Sequence, residues 1–600
     1  MDKRAGVPIP ATGDRPATLT GRLQVAAPVA GFIAAVALAA GMVVARGVSQ
    51  PWWLTADADA VYTTSGLNLL LGNHTFYLDH PGLPTEEALE AGFGAQYLAE
   101  KATGDRTGGV QAFADHIFLN LDRARPVYRS LAVAFYLLGV ALAFLLVTRL
   151  LGHWTWGFAA SLLWLAAPGL IPIAVQIRPD ALLCALVLLT TYLIAKAAER
   201  RDAWLFVLAG VTVGFAVTVK LHAAGLVPVL LAAVVWRHPA PGWESAIRES
   251  VPLAWRRHKR WAIPLSLLVV GSAVAFNLDR PAFTVTHQQE TLVFTILALV
   301  GGFGACALVA RRLELPGAQR LFDPLVAIVA VAVLIGLAIP IVFDPEDGLQ
   351  MLVSIKDTLS GHGVNQGIAA FSQLNRGYWS FPVFEGLLVF AAAMLATLLG
   401  LVRRDPVPVV FGFASAVLVT MALARYDQTY YLAPGYVAAI PAALWLFRLP
   451  RNRALPFFVW PLIAIVVVPQ FQHLIVHETA PSAQAQAATL TRTLAPVLKP
   501  GIVVLTPIQV PDTAFDMAQF YGSYTPQYPY QFVSPWPPFI QLLEGRGLKV
   551  RYYAGPQASQ VKGEADINLA GLGTFHVRRV AGLDGPGFGV LEILRAPPGL

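Results

Sequence analysis

Charge and cysteine are what this chain has least of. Asp, Glu, Lys and Arg make up 13% of its 600 residues, hydrophobic residues make up 56%, and the mean hydropathy is +0.58. A water-soluble globule carries about a quarter charged residues, so that class is excluded. Two cysteines, Cys184 and Cys306, both lie inside apolar runs, which leaves no disulfide framework. Internal repeats, heptads and low-complexity tracts are missing too, apart from Pro- and Ala-rich ends. A formal charge of +7 would suit nucleic acid if the basic residues shared one face. They stand at the ends of apolar runs instead, so no nucleic-acid partner is expected.

What the chain does have is a succession of runs long enough to cross a bilayer. They fall at 23–45, 127–150, 156–176, 180–198, 203–219, 221–236, 262–278, 291–310, 324–343, 383–402, 407–423, 432–447 and 456–475. The fold class expected is a polytopic α-helical membrane protein with about thirteen transmembrane helices. Residues 1–22 read as a cytoplasmic tail before a retained first span. Basic residues crowd alternate connections, among them Arg149, Arg200, Arg201, Arg256, Arg257, Arg311, Arg312, Arg403, Arg404 and Arg448. The opposite connections, after the first, hold only Arg178, Lys220, Arg280, Lys356, Arg376 and Arg425. The positive-inside rule then puts the amino terminus in the cytoplasm of a plasma (inner) membrane protein.

That topology makes 23–475 the membrane module and places three segments outside: a large first loop at 46–126, a second loop at 344–382, and 476–600. The last reads as a small extracytoplasmic α/β domain, large enough for its own core, with strands expected at Ile502–Thr506, Leu548–Tyr553, Thr574–Val580 and Gly589–Leu594. The aromatic stretch Phe520–Pro538 within it suits packing onto the membrane part, or stacking on sugar rings. Gly361 to Trp379 in the second loop are polar, aromatic and glycine-containing, as in a lid over a site.

Candidate chemistry begins where the first span emerges. Leu54-Thr-Ala-Asp57-Ala-Asp59-Ala-Val-Tyr62 is followed by Asp79-His80-Pro81-Gly82. Two acids two residues apart can share a proton or a divalent cation, and a carboxylate within reach of a hydroxyl can act as a general base. A helix cap or a solvated loop is the plainer outcome for such a pair. Arg178-Pro179-Asp180 and Lys220-Leu221-His222 lie between spans on the same outer side, at the depth of a lipid phosphate. An ion pair of Arg178 with Asp180, and snorkelling of Lys220, are the structural alternatives.

Taken together, Asp57-x-Asp59-x-x-Tyr62, Gly66-Leu67-Asn68 and Asp79-His80-Pro81-Gly82 resemble the first extracytoplasmic loop of GT-C superfamily membrane glycosyltransferases. The branch in view contains the protein O-mannosyltransferases and lipid A aminoarabinose transferases. The Arg-x-Asp opening the fourth span, Lys220, and Arg425-Tyr426-Asp427 with Tyr430-Tyr431-Leu432-Ala433-Pro434 are similar to later features of that group. The likeness covers about the first 230 residues and the 420s to 440s. Many relatives carry adjacent Asp-Glu in the first loop, where this chain has Asp57-Ala58-Asp59.

The resemblance implies a sugar transferred from a polyprenyl-phosphate donor to a hydroxyl of a cell-envelope glycan, lipid or protein, with inversion. Asp59 is the implied base and Asp57 its helper. Arg178, Lys220 and Arg425 are the implied phosphate ligands, and His80, Asp180, His222 and Tyr430 would line the acceptor and sugar pocket. No cofactor is expected to be obligatory; if Mg²⁺ or Mn²⁺ takes part, Asp57 and Asp59 are its natural ligands. Ala-, Arg- and Pro-rich usage points to a bacterium. Two rival classes use similar ingredients. A transporter or flippase for a lipid-linked sugar would show repeat symmetry and midplane sites. A non-catalytic envelope assembly protein would tolerate loss of both acids.

Overall fold

The computed structural model describes residues 19–46, 56–73, 82–105, 108–119, 121–167, 170–237, 324–360, 384–425, 429–448, 460–461, 463–468, 489–490, 493–494, 497, 502–506, 532–533, 549–569, 573–585 and 587–597. The spans expected at 262–278 and 291–310, the residues Gly361 to Trp379, and nearly all of the aromatic stretch after Phe520 lie outside the described residues.

Helices α1 (Leu19–Arg46), α2 (Ala56–Leu70), α3 (Leu83–Ala102), α4 (Val110–Leu119), α5 (Arg125–Leu151), α6 (Trp154–Leu165), α7 (Leu170–Ile173), α8 (Pro179–Arg200), α9 (Ala203–Val219) and α10 (Leu226–Trp236) come first. They are followed by α11 (Pro324–Phe343), α12 (Pro345–Ser360), α13 (Phe384–Arg403), α14 (Pro406–Arg425) and α15 (Ala433–Arg448). Among the described residues, Arg125–Leu151, Pro179–Arg200 and Leu325–Phe343 are long and apolar enough to cross a membrane; Ala27–Met42, Ala203–Val219, Leu221–Trp236, Leu387–Arg403 and Pro406–Ala422 are shorter apolar helices.

Local chemistry sets the helix ends. Pro126 and Pro179 occupy first-turn positions of α5 and α8, where a missing N–H costs nothing. Gly152 ends α5 in the left-handed region at φ 81°. Asp202 starts α9 by accepting from the backbone N–H groups of Trp204 and Leu205 at 2.9 and 3.4 Å.

One apolar cluster joins α1, α5 to α11, α13, α14 and α15. Within it α9 crosses α11 with backbone close against backbone. A Cβ on Gly214 would lie 2.0 Å from the Val333 carbonyl oxygen, and one on Gly336 would lie 2.1 Å from that of Val211. With no hydrophobic drive between helices in lipid, close backbone approach of this kind supplies the dispersion contact that holds helices together.

One expectation needs correcting and two are extended. The run 156–176 is not one helix: α6 stops at Leu165 and a short helical turn follows at Leu170–Ile173. The segment read as the second outer loop opens as a helix, Pro345–Ser360, started by Asp344, whose Oδ1 accepts from the Asp347 N–H at 3.2 Å. The tail has a core of its own and shares a second one.

That tail forms a six-stranded sheet of β1 (Ile502–Leu505), β2 (Phe532–Val533), β3 (Lys549–Gly555), β4 (Glu564–Leu569), β5 (Gly573–Gly585) and β6 (Phe588–Arg595), in the order β2-β1-β3-β6-β5-β4. Strands β2, β1 and β3 run parallel, and β3, β6, β5 and β4 are antiparallel neighbours. One face buries Leu505, Tyr553, Phe575, Val577 and Leu591. Val504, Ala554, Phe588 and Val590 instead join Tyr62, Leu67, Leu89, Phe93, Phe113 and Tyr128, so the sheet and helices α2 to α5 share one core.

Candidate active site

Arg178 precedes a proline, and the ring of Pro179 pushes it out of the helical region to φ −129°, ψ 148°. Asp180 follows in the first turn of α8. Lys220 plays the matching part at the end of α9: it is extended, at φ −162° and ψ 135°, between α9 and the 3-10 turn Leu221–Gly225. Two breaks in helical geometry thus bring the cations onto one carboxylate. Lys220 Nζ donates to Asp180 Oδ1 at 2.6 Å, and Arg178 Nε lies 3.6 Å from Asp180 Oδ2. Asp180 is 1% exposed and Lys220 4%. A buried acid and ammonium at this distance hold each other in place, since either one left alone would carry the full cost of desolvation.

A third segment closes the group. The 3-10 turn Thr429–Leu432, leading into α15, sets the ring of Tyr431 4.4 Å from Lys220 Nζ. The His222 ring stacks on the same tyrosine with centroids 5.2 Å apart and planes 15° apart. Asp180, Lys220, His222 and Tyr431 are all buried, and come from α8, two 3-10 turns and the junction after α9.

Four of the residues singled out in the sequence are therefore together: Arg178, Asp180, Lys220 and His222. Tyr431 joins them through its contacts with Lys220 and His222. The side chains of Tyr430, Arg425, Asp57 and Asp59, and the whole of His80, lie outside the described residues. The backbone of Asp57 and Asp59 opens α2. Residues i and i+2 of a helix are roughly 200° apart around its axis, so positions 57 and 59 fall on different faces of α2. No three His, Cys, Asp or Glu groups suited to a metal gather among the described residues.

Helix α2 is tied to the basic group through packing. Ile177, next to Arg178, is buried in the same apolar cluster as Tyr62 and Leu67 of α2. Position 59 shares a helix face with Tyr62, three residues on.

Sequence reasoning quoted Asn68 only within a motif and missed the other buried polar residues of this region: Thr63, Thr64 and Ser65 on α2, Glu86 and Glu90 on α3, Arg129 on α5, and Asp344 and Asp347 before and in α12. A signal was present. Leu83, Glu86 and Glu90 recur at helical spacing, and Leu83 packs on Leu69 and Met351, so the acids ride on a core-facing stripe.

Residues 111–253 match the family model for dolichyl-phosphate-mannose-protein mannosyltransferase. The match takes in α5, α8, α9 and the whole Arg178, Asp180, Lys220 and His222 group, and with it the resemblance to the GT-C superfamily glycosyltransferases stands. Among solved structures, the chain is similar to the archaeal oligosaccharyltransferase AglB from Archaeoglobus fulgidus, in complex with an inhibitory peptide and a dolichol-phosphate. The identity is 12% over 92% of this chain and 75% of that one, with a TM-score of 0.43, too loose a likeness to assign a site. No curated protein matches the chain by sequence.

Proposed function

We propose that this chain is a membrane glycosyltransferase that moves a sugar from a polyprenyl-phosphate carrier to a hydroxyl of a cell-envelope glycan, lipid or protein at the outer face of the plasma membrane. Asp59 takes the proton of the acceptor hydroxyl. The freed oxygen attacks the anomeric carbon from the face opposite the carrier, and the bond from that carbon to the phosphate oxygen breaks through an oxocarbenium-like state, with inversion. The electron pair leaves on the lipid phosphate, where Arg178, Lys220 and Arg425 meet the growing negative charge; fixed cations of this kind supply a large part of catalysis.

The observation that carries this reading is the convergence of the half-buried Arg178 and the buried Lys220 on one buried carboxylate, in a segment packed with the helix that bears Asp59. An ammonium has three N–H donors and a guanidinium five, so engagement with Asp180 does not exhaust either. Because the helix separates positions 57 and 59, a single base suits the site better than a proton-sharing pair, and Asp57 serves as helper. Mg²⁺ or Mn²⁺ is not required for this chemistry, since the leaving charge falls on a phosphate already faced by cations.

The test is to offer the protein in detergent a panel of polyprenyl-phosphate sugars and follow release of the lipid phosphate. Asp59→Asn should lower turnover by at least ~100-fold with folding intact. Release by no sugar in the panel, or full turnover in the variant, would overturn the proposal.

A further inference from the structure

The ring of Tyr431 has a place in the candidate site that its sequence motif does not specify. A lysine ammonium is a charge on a flexible four-carbon stem, and the contact with Asp180 fixes its distance from one carboxylate oxygen rather than its direction. The tyrosine face, 4.4 Å from Nζ, removes that freedom, because the ring quadrupole attracts a cation most strongly where water is excluded. The same ring stacks on His222, two residues beyond Lys220, and so touches the start of the 3-10 turn at two points. Tyr431 itself is fixed by the 3-10 turn before α15, and Leu432, Ala433 and Pro434 after it are buried.

We infer that Tyr431 is a positioning residue whose aromatic face, not its hydroxyl, sets the location of the Lys220 ammonium and the His222 imidazole for an anionic phosphate ligand. The inference rests on the phosphate-binding role proposed above for Lys220. Removing the ring leaves Lys220 its carboxylate partner but lets the charge wander, so affinity for a phosphate falls while the fold persists.

The experiment measures binding of a polyprenyl monophosphate to the full chain in detergent, for wild type, Lys220→Gln, Tyr431→Phe and Tyr431→Leu, with a melting curve for each. Tyr431→Phe should bind within about twofold of wild type, whereas Tyr431→Leu should bind roughly 5- to 30-fold more weakly. Loss of binding in Tyr431→Phe comparable to that in Tyr431→Leu would assign the effect to the hydroxyl and overturn the inference. So would wild-type affinity in a folded Tyr431→Leu while Lys220→Gln loses binding. If Tyr431→Leu does not fold, the phenylalanine variant decides alone: retained binding beside a defective Lys220→Gln supports the inference. Absence of binding by wild type, with Lys220→Gln no different, would instead overturn the phosphate-binding role itself.

Discussion

The bundle around α9 and the region around α2 are packed on different principles. Where α9 crosses α11, glycines let two backbones touch, and the polar residues buried in the helices around them are mainly uncharged hydroxyls, Ser161, Thr190, Thr191, Thr218 and Ser415. Where α2 meets α3, α5 and the sheet, buried threonines, a serine, an asparagine, glutamates and an arginine are interleaved with the apolar core. Apolar packing specifies volume and little else, and tolerates exchange of one hydrocarbon for another of like size. Buried polar groups specify partners and directions, and each one left unmatched is costly. The first region is suited to holding helices in lipid, and the second to holding functional groups at fixed angles. Helix α8 spans the two: Ile177 before it lies in the polar-laced cluster, whereas Leu182, Leu183 and Leu188 lie in the bundle core. The Arg178, Asp180 and Lys220 group sits at that seam.

Perturbing the seam should have the largest effect. Asp180→Asn leaves the Lys220 ammonium buried without its carboxylate, and such a break costs about 3–5 kcal/mol; we expect a sharp drop in melting temperature together with loss of transfer activity. Unchanged stability would mean that the seam is wetter than its burial implies. On the polar-laced side, Phe588→Ala empties a position shared by the sheet and the loop helices, at a cost of about 3–5 kcal/mol. Hydrogen exchange should then rise in α2 and α3 as well as in β6; a rise confined to the sheet would show that the core is not shared.

In the bundle, Gly214→Leu should cost about 1–3 kcal/mol through overpacking against Val333, read as reduced yield of monodisperse protein in detergent. A same-size loss from Gly41→Leu, where a Cβ would meet nothing within 4 Å, would remove the crossing from the explanation. The smallest effect is expected on the tail sheet. The Arg578 guanidinium hydrogen-bonds Glu592 at 2.7 Å and, aided by Arg551 at 3.3 Å and against partial burial, holds its carboxyl below the usual range. A depressed folded pKa contributes stability that is present above the unfolded carboxyl pKa and is lost as pH falls through the folded one. Glu592→Gln should therefore lower stability by ~0.2–1 kcal/mol near neutral pH and by less in acid. A difference that grows in acid would contradict the pairing.

Much of this was legible in the amino-acid order. The apolar runs at 180–198, 203–219 and 324–343 became α8, α9 and α11 with ends within a few residues, because a backbone in lipid has no other way to satisfy its N–H and C=O groups. Pro179 announced the extended geometry of Arg178. Strand β4 was not singled out, although Glu564-Ala-Asp566-Ile-Asn568-Leu alternates polar and apolar residues as a half-buried strand does. The helix at 345–360 lies inside what was read as an outer loop, although Pro345, Glu346 and Asp347 form a helix-start pattern. In the site, sequence offered the ion pair of Arg178 with Asp180, but Lys220 lies 40 positions beyond Asp180, and no spacing reveals that it reaches the same carboxylate.

Composition and the placement of basic residues determined that this chain lives in a bilayer, since hydrocarbon admits few charges and asks for long apolar helices. Which ring lies against which ammonium, and that the tail sheet shares its interior with the first-loop helices, only the tertiary structure decided. Such contacts depend on how several helices and a sheet pack at once, and a one-dimensional pattern carries the faces of each element but not their partners.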